Sequence, residues 1–194
     1  MADGQQTVRV EGVAGRGFGQ PLDALTLARA RRGDMDAYAS IYRRYGAACY
    51  TLAMRVLGDP AAAEDVVQDV FLKLFATLRG FRGDAPFGAW LKRMAVNATI
   101  DIVRTRQRFR DDDTEAVFAA LPGANATAED RVDAWTLLAR LPARARAVVL
   151  LHEVEGYTHR ELAELFGQSE SWSKSIVSRA LNRLSAPEGQ EGNR

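Results

Sequence analysis

From Asp34 onward, apolar residues return every three or four positions, and nowhere does a two-residue alternation persist beyond a few residues. That rhythm belongs to one face of a helix and not to a strand. Tyr38, Ile41, Tyr42, Tyr45, Cys49, Leu52, Ala53 and Val56 make a first stripe that stops at Gly58. Val66, Val67, Val70, Phe71, Leu74, Phe75 and Leu78 make a second, running to Gly80, and Trp90, Leu91, Met94, Ala95, Ala98 and Ile102 a third, running to about Arg108. The punctuation agrees with the stripes. In Asp59-Pro60 the carboxylate caps free amides while the proline already holds a helical φ, and Asp84 with Pro86 repeats the signal. A short helix over Leu22 to Arg32 precedes them.

Past Arg108 the rhythm fails. The stretch DDDTEAVFAALPGANAT offers acid, Pro and Gly around one brief apolar patch, as a tether would. Charge breaks at the same place: residues 22–110 hold 15 Lys and Arg against 9 Asp and Glu, residues 111–128 hold four acids and no base, and residues 129–184 balance at 8 and 8. The rhythm resumes with Val132, Trp135, Leu138 and Leu141, after Thr127 and Asp130, which resemble a capping pair. An Ala- and Val-rich helix follows over 143–154. Thr158 and Glu161 then form the S/T-x-x-E box that satisfies orphan amides at a helix start. That helix stops at Gly167, and a last one from about Ser169 carries Ile176, Val177, Ala180, Leu181 and Leu184 on one face. The expectation is an all-α fold of two small helical domains, 22–108 and 129–184, joined by a flexible linker over 109–128. The second contains a helix-turn-helix, and residues 1–21 and 185–194 are flexible tails.

Several function classes are disfavoured. A single cysteine, Cys49, forms no internal disulfide, and with only His152 and His159 beside it no metal-ligand spacing exists. No carboxylate pair or activated nucleophile is spaced to build a pocket, so no enzyme, cofactor or metal is expected. No apolar run approaches the roughly 18 residues that span a bilayer, and the first residues lack the apolar stretch of a secretory signal. The expected setting is the cytoplasm, without membrane insertion.

Three stretches carry candidate sites. In residues 158–184 a helix, a glycine turn and a longer helix make helix-turn-helix spacing, whose second helix fits the DNA major groove. Ser169, Glu170, Ser171, Trp172, Ser173 and Lys174 sit at its start, Ser175 and Ser178 a turn on, with Arg179 and Arg183 placed for phosphates or for pairing within the protein. A plain helical hairpin fits the same spacing. Between Lys92 and Arg110, Lys92, Arg93, Arg104, Arg106, Arg108 and Arg110 face one acid, Asp101, beside Phe81, Phe87 and Trp90. Cations and rings together suit single-stranded nucleic acid. Rings at this spacing also suit a core, and Asn97 suits either a base edge or solvent. The third stretch places Glu64, Asp65 and Asp69 largely opposite Val66, Val70 and Phe71, an acidic face for a basic partner or merely favourable helix-dipole chemistry.

Taken in order, DVVQDVFLKLF, FRGDAPFGAWLKRMAVNATIDIVRTRQR and LPARARAVVLLHEVEGYTHRELAELFGQSESWSKSIVSRALNRL resemble the extracytoplasmic-function group of the sigma-70 family, bacterial RNA polymerase initiation factors. The resemblance covers about residues 22–184. It implies a region 2 module and a region 4 module, with core polymerase (β′ clamp and β flap), promoter DNA and an anti-sigma factor as partners. Glu64, Asp65, Gln68, Asp69 and Phe71 match the clamp-binding segment. Phe81, Phe87, Trp90, Lys92, Arg93, Asn97, Arg104 and Arg106 match the minus-ten and melting surface. Ser169, Ser171, Trp172, Ser173, Lys174, Ser175, Ser178 and Arg179 match the minus-thirty-five reader. The chain departs from the group's common Thr-Val-Lys-Ser-Arg with Trp172-Ser173-Lys174-Ser175-Ile176, which bears on promoter sequence. The competing reading is a stand-alone dimeric helix-turn-helix regulator, and a third is a helical adaptor without DNA contact.

Overall fold

The structure, a computed structural model, describes residues 17–108 and 134–185. The predicted Thr127 and Asp130 pair, the linker and most of both tails lie outside the described residues. Among the described residues every regular element is helical. The first module contains α1 (Ala24–Arg31), α2 (Met35–Leu57), α3 (Pro60–Thr77) and α4 (Phe87–Arg108), with a 3-10 turn over Leu78–Gly80. Each of the first three starts on an aspartate whose carboxylate accepts backbone amides: Asp23 from Thr26 at 2.7 Å, Asp34 from Asp36 and Ala37 at 3.0 and 3.1 Å, Asp59 from Ala62 at 3.3 Å. These amides have no partner within their helix, and the caps supply one. At the far end of α2, Gly58 turns the chain at φ 66°, a left-handed conformation that glycine adopts without strain.

The stripes converge. Ile41, Tyr45, Val66, Val70, Leu74, Leu91 and Ile100 have at most 1% of their surface exposed, each worth about 1.5 to 3 kcal/mol in burial. Leu181 of the last predicted stripe is 40% exposed, and two residues of the first module's stripes also depart: Tyr42 and Phe75 are 50% and 56% exposed. They lie at the flank of a stripe wider than the one face that α2 and α3 turn inward. The predicted N-terminal tail also reaches too far. Residues 17–21 strap across the module: Tyr45 Oη donates to the Gln20 carbonyl at 2.6 Å, Arg44 bonds the Pro21 carbonyl, and the Phe18 carbonyl sits only 1.8 Å from where a Cβ on Gly88 would be. The start of α4 passes under this strap because residue 88 has no side chain.

The second module contains α5 (Ala134–Ala139), α6 (Ala143–Val149), α7 (His159–Phe166) and α8 (Glu170–Ser185). Beyond α6 the helix widens over Leu150–Val154, where the Glu155 amide reaches back five residues to the Leu150 carbonyl. The capping box forms as expected: Thr158 N donates to Glu161 Oε2 at 2.8 Å and Glu161 N to Thr158 Oγ1 at 3.2 Å. Gly167 closes α7 at φ 64°. Leu151, Leu162, Ile176 and Ala180 fill the interior. The two modules touch: α2 and α4 meet α6, α4 meets α7, and the buried apolar residues of both form one contiguous cluster.

Candidate interfaces for protein and nucleic acid

The residues predicted on α3 do not share one face. Glu64, Gln68 and Phe71 line an open groove of about 840 Å³ between α2 and α3, whereas Asp65 and Asp69 turn toward α4, beside Lys73, Met94, Asp101 and Arg106. Phe71 is itself buried and forms the groove floor, its carbonyl accepting the Tyr38 hydroxyl. Tyr42 packs edge-on against Phe71 with centroids 4.8 Å apart, and Tyr38 against Phe75 at 5.4 Å. Burial pushes the Tyr38 phenol above its usual range, so it stays a neutral donor. What the sequence reading missed is the apolar wall: Met35, Tyr42, Leu72 and Phe75 are each at least half exposed along this groove. The signal was present in Leu72 and Phe75, three apart and too far round α3 to reach the core with Val70 and Leu74.

On α4 the rings and the cations separate. Phe81 and Phe87 belong to the core, 8% and 7% exposed, and pack edge-on at 5.6 Å. Their predicted role as stacking platforms is corrected to support, because a ring covered by other side chains has no face for a base. Trp90 is half-buried against both, 4.8 Å from Phe81, and retains an exposed edge. Arg93 and Arg104 are exposed, and Asn97 is half-buried. Lys92 pairs with Glu155 of the second module. Arg106 Nη2 donates to Asp59 Oδ2 at 2.6 Å; that bond, then the Ala62 amide, holds the Asp59 carboxyl below the usual range.

On α8 the predicted readers divide again. Ser169 Oγ accepts the Trp172 amide at 3.1 Å and so caps the helix. Ser173 is fully buried and bonded to His159 Nδ1 at 3.1 Å, which removes it from any base edge. Trp172 packs on Phe166 with centroids 5.3 Å apart and carries the Arg144 guanidinium 4.5 Å above its ring, so it too serves the fold of the module. Ile176, where an arginine is common in the resembled group, is completely buried. Ser171, Lys174, Ser175 and Ser178 follow the three- and four-residue spacing of one outward stripe, with Arg179 beside it donating to Ser175 Oγ at 2.6 and 3.1 Å. Lys174 also lies 3.8 Å from Glu170. Cys49 is buried, its thiol pushed up to about 12, and is core as expected.

Residues 41–109 match the family described as Sigma-70 region 2, and residues 131–184 match Sigma-70, region 4. The chain is 32% identical over 173 residues to the ECF RNA polymerase sigma factor SigM of Mycobacterium tuberculosis, covering 87% of each chain. It is 26% identical over 170 residues to the ECF RNA polymerase sigma factor SigW of Bacillus subtilis, covering 80% of this chain and 91% of that one. Among solved structures, the sigma factor RpoE of Bartonella quintana, in complex with the anti-sigma factor NepR, is 30% identical. That match covers 71% of this chain and 87% of that chain, with a TM-score of 0.46.

Proposed function

Because the chain belongs to the extracytoplasmic-function sigma factors of the sigma-70 family, and so acts as an RNA polymerase sigma factor, we propose a division of labour among its surfaces. The groove between α2 and α3 seats a helical element of core polymerase, the β′ clamp. Met35, Tyr42, Leu72 and Phe75 give it apolar walls, and Glu64 and Gln68 a polar rim for a basic partner. Asp65 and Asp69 act from the other side of α3, in the cleft toward α4. Trp90, with its free edge, and the cations Lys92, Arg93 and Arg104 hold the opened minus-ten strand, and Asn97 meets a base. Phe81 and Phe87 keep Trp90 in place.

The second module reads the minus-thirty-five element through Ser171, Lys174, Ser175, Ser178 and Arg179, with Ser169, Trp172 and Ser173 positioning that helix. The chain performs no bond chemistry in this reading. It works by differential affinity: unstacked bases and strand phosphates bind the first module better than duplex does, each stacked base contributing about 1 to 3 kcal/mol. Joining two modest readers on one chain raises the effective concentration of the second once the first is bound. No helix among the described residues is long and apolar enough to cross a membrane. An anti-sigma factor is the expected regulator, as a competitor for the α2–α3 groove or the α4 face.

The observation that carries the reading is the pair of outward faces, an apolar groove in one module and a polar, basic stripe on the second helix of a helix-turn-helix in the other. The test is co-elution of the full chain with core polymerase lacking sigma. Phe75→Glu is expected to abolish co-elution while leaving duplex promoter binding by the second module intact, and Lys174→Ala to do the reverse. Co-elution unaffected by Phe75→Glu would remove the groove from the polymerase interface. A chain that never co-elutes but dimerises on duplex DNA would restore the stand-alone regulator.

A further inference from the structure

Residues 17–21 cross the first module without forming a helix, yet they are held at several points. The Gln20 amide closes a turn on the Gly17 carbonyl at 3.3 Å, and Phe18 packs partly buried against the core. The remaining holds are all backbone carbonyls of the strap. That of Phe18 lies against Gly88, that of Gln20 accepts the Tyr45 hydroxyl, and that of Pro21 accepts Arg44.

These holds lead to one place. Gly88 is the second residue of α4, and the completely buried Tyr45 has its ring edge 3.3 Å from where a Cβ on Gly88 would stand. The Tyr45 and Phe87 ring centroids are 5.5 Å apart. Phe87 in turn lies 5.9 Å from Trp90 and 5.6 Å from Phe81, itself 4.8 Å from Trp90. Trp90 thus ends a continuous run of rings that starts on the strap. It also lies in the first turn of α4, the part of a helix least held by its own hydrogen bonds. Its amide and that of Ala89 converge on one carbonyl, that of Pro86, at 3.1 and 3.0 Å. The strap and the rings supply the support that this turn lacks. An open cavity of about 580 Å³ runs between strap and turn, with Phe18, Pro21 and Leu22 on one side and Pro86, Ala89 and Lys92 on the other. The strap therefore bears on α4 at its anchors and not along its length.

We propose that residues 17–21 are a positioning element for single-stranded nucleic acid: through Phe18 on Gly88 and Gln20 on Tyr45 they hold the first turn of α4, and with it the Trp90 ring, in the orientation on which a base stacks. The proposal rests on Trp90 as a strand contact, the reading given above. A ring that is already fixed loses little freedom when a base lands on it, so more of the stacking energy appears as affinity. The strap touches no base in this scheme and acts only through Trp90.

The test uses holoenzyme assembled from the full chain and core polymerase, with core alone as the blank, and reads the anisotropy of a short single-stranded oligonucleotide of mixed sequence. Tyr45→Phe removes the bond to Gln20 and keeps the ring on Phe87, so it probes the strap with the core intact. Gly88→Ala pushes the Phe18 carbonyl away. Affinity is expected to fall about two- to fivefold in the first and about five- to tenfold in the second, while co-elution with core and duplex binding through α8 stay as in the wild type. Trp90→Ala should lower it about fivefold or more. In the Trp90→Ala background neither strap change should lower affinity further, because changes that act through one shared contact do not add.

Affinity indifferent to Tyr45→Phe and Gly88→Ala, with Trp90→Ala still weakened, would overturn the role of the strap and leave Trp90 as a contact. Losses that persist in full in the Trp90→Ala background would overturn positioning, since the strap would then act elsewhere. A silent Trp90→Ala would overturn the proposal at its premise, the stacking assignment of Trp90.

Discussion

The two modules reach stability by different routes. The first is built on long helices, 23, 18 and 22 residues in α2, α3 and α4, whose stripes bury large apolar side chains. The second is built on helices of 6, 7, 8 and 16 residues and buries three polar side chains, Arg144, Arg146 and Ser173, where the first buries only Thr99 among the described residues. Helices of one or two turns cannot carry themselves by propensity. They depend on a cap, a glycine turn and side chains that satisfy stranded backbone groups. A long-helix module therefore offers broad surfaces such as the α2–α3 groove, whereas a short-helix module presents one rigid helix and relies on polar contacts.

The largest expected effect breaks the first module alone. Leu91 is completely buried, and Leu91→Ala should cost about 3 kcal/mol by lost burial and cavity formation. Urea unfolding followed by Trp90 fluorescence should show the loss, while duplex binding through α8 is retained. Equal damage to α8 binding would mean that the two modules unfold as one unit. Next comes Gly88→Ala. Its Cβ would stand 1.8 Å from the Phe18 carbonyl, so the strap must move, at about 1 to 3 kcal/mol. Proteolysis should then cut near Phe18 sooner than in the wild type. An unchanged cleavage rate would detach residues 17–21 from the fold.

The same contrast decides what was legible in the sequence. Long stripes and glycine stops gave the extent of α2 and α3, and Asp59-Pro60 marked the start of α3, because caps and stops are local signals; α4 starts at Phe87 directly after Pro86, whose carbonyl accepts the Ala89 and Trp90 amides, and not on Asp84. Thr158, Glu161 and Gly167 gave α7 for the same reason. Arg146 was illegible, since its partner, the Val56 carbonyl, lies 90 residues away and backbone carbonyls leave no trace in a sequence. Ser173 and Trp172 were read as DNA contacts because a serine or tryptophan near the start of a recognition helix looks the same whether it faces a base, a half-buried histidine or an arginine. Phe75 was read as core because spacing fixes angular position on a helix but not the width of the face that its neighbours cover.

Smaller effects probe the second module. Thr158→Ala removes the capping box and should cost about 1 kcal/mol, lowering the melting of α7 and α8 without changing the first module. Circular dichroism melts that shift both modules equally would show that the apolar cluster they share makes them unfold together.

The smallest effect separates the modules by pH. Both histidines of the chain, His152 and His159, lie in the second module, their rings stacked with centroids 4.2 Å apart. His159 is held below its ordinary 6.5, chiefly by burial, then by the charges of His152 and Lys174, against the opposing pull of Glu170 and Glu153. A base that protonates less readily when folded leaves the unfolded chain holding more protons below about pH 6.5, so stability falls as pH drops through that range toward the folded value. In the first module the lowered groups are Asp23, Asp34 and Asp59, each held below the ordinary aspartate value of 3.8. Their contribution is present above that value and lost only as pH falls below it, through their folded values. Between about pH 7 and 5 the second module should therefore lose stability while the first does not, and His159→Gln should flatten that slope, read from urea midpoints with probes in each module. A slope that survives the substitution would assign the titration to another group and leave the His159–Ser173 bond as a packing feature of α8.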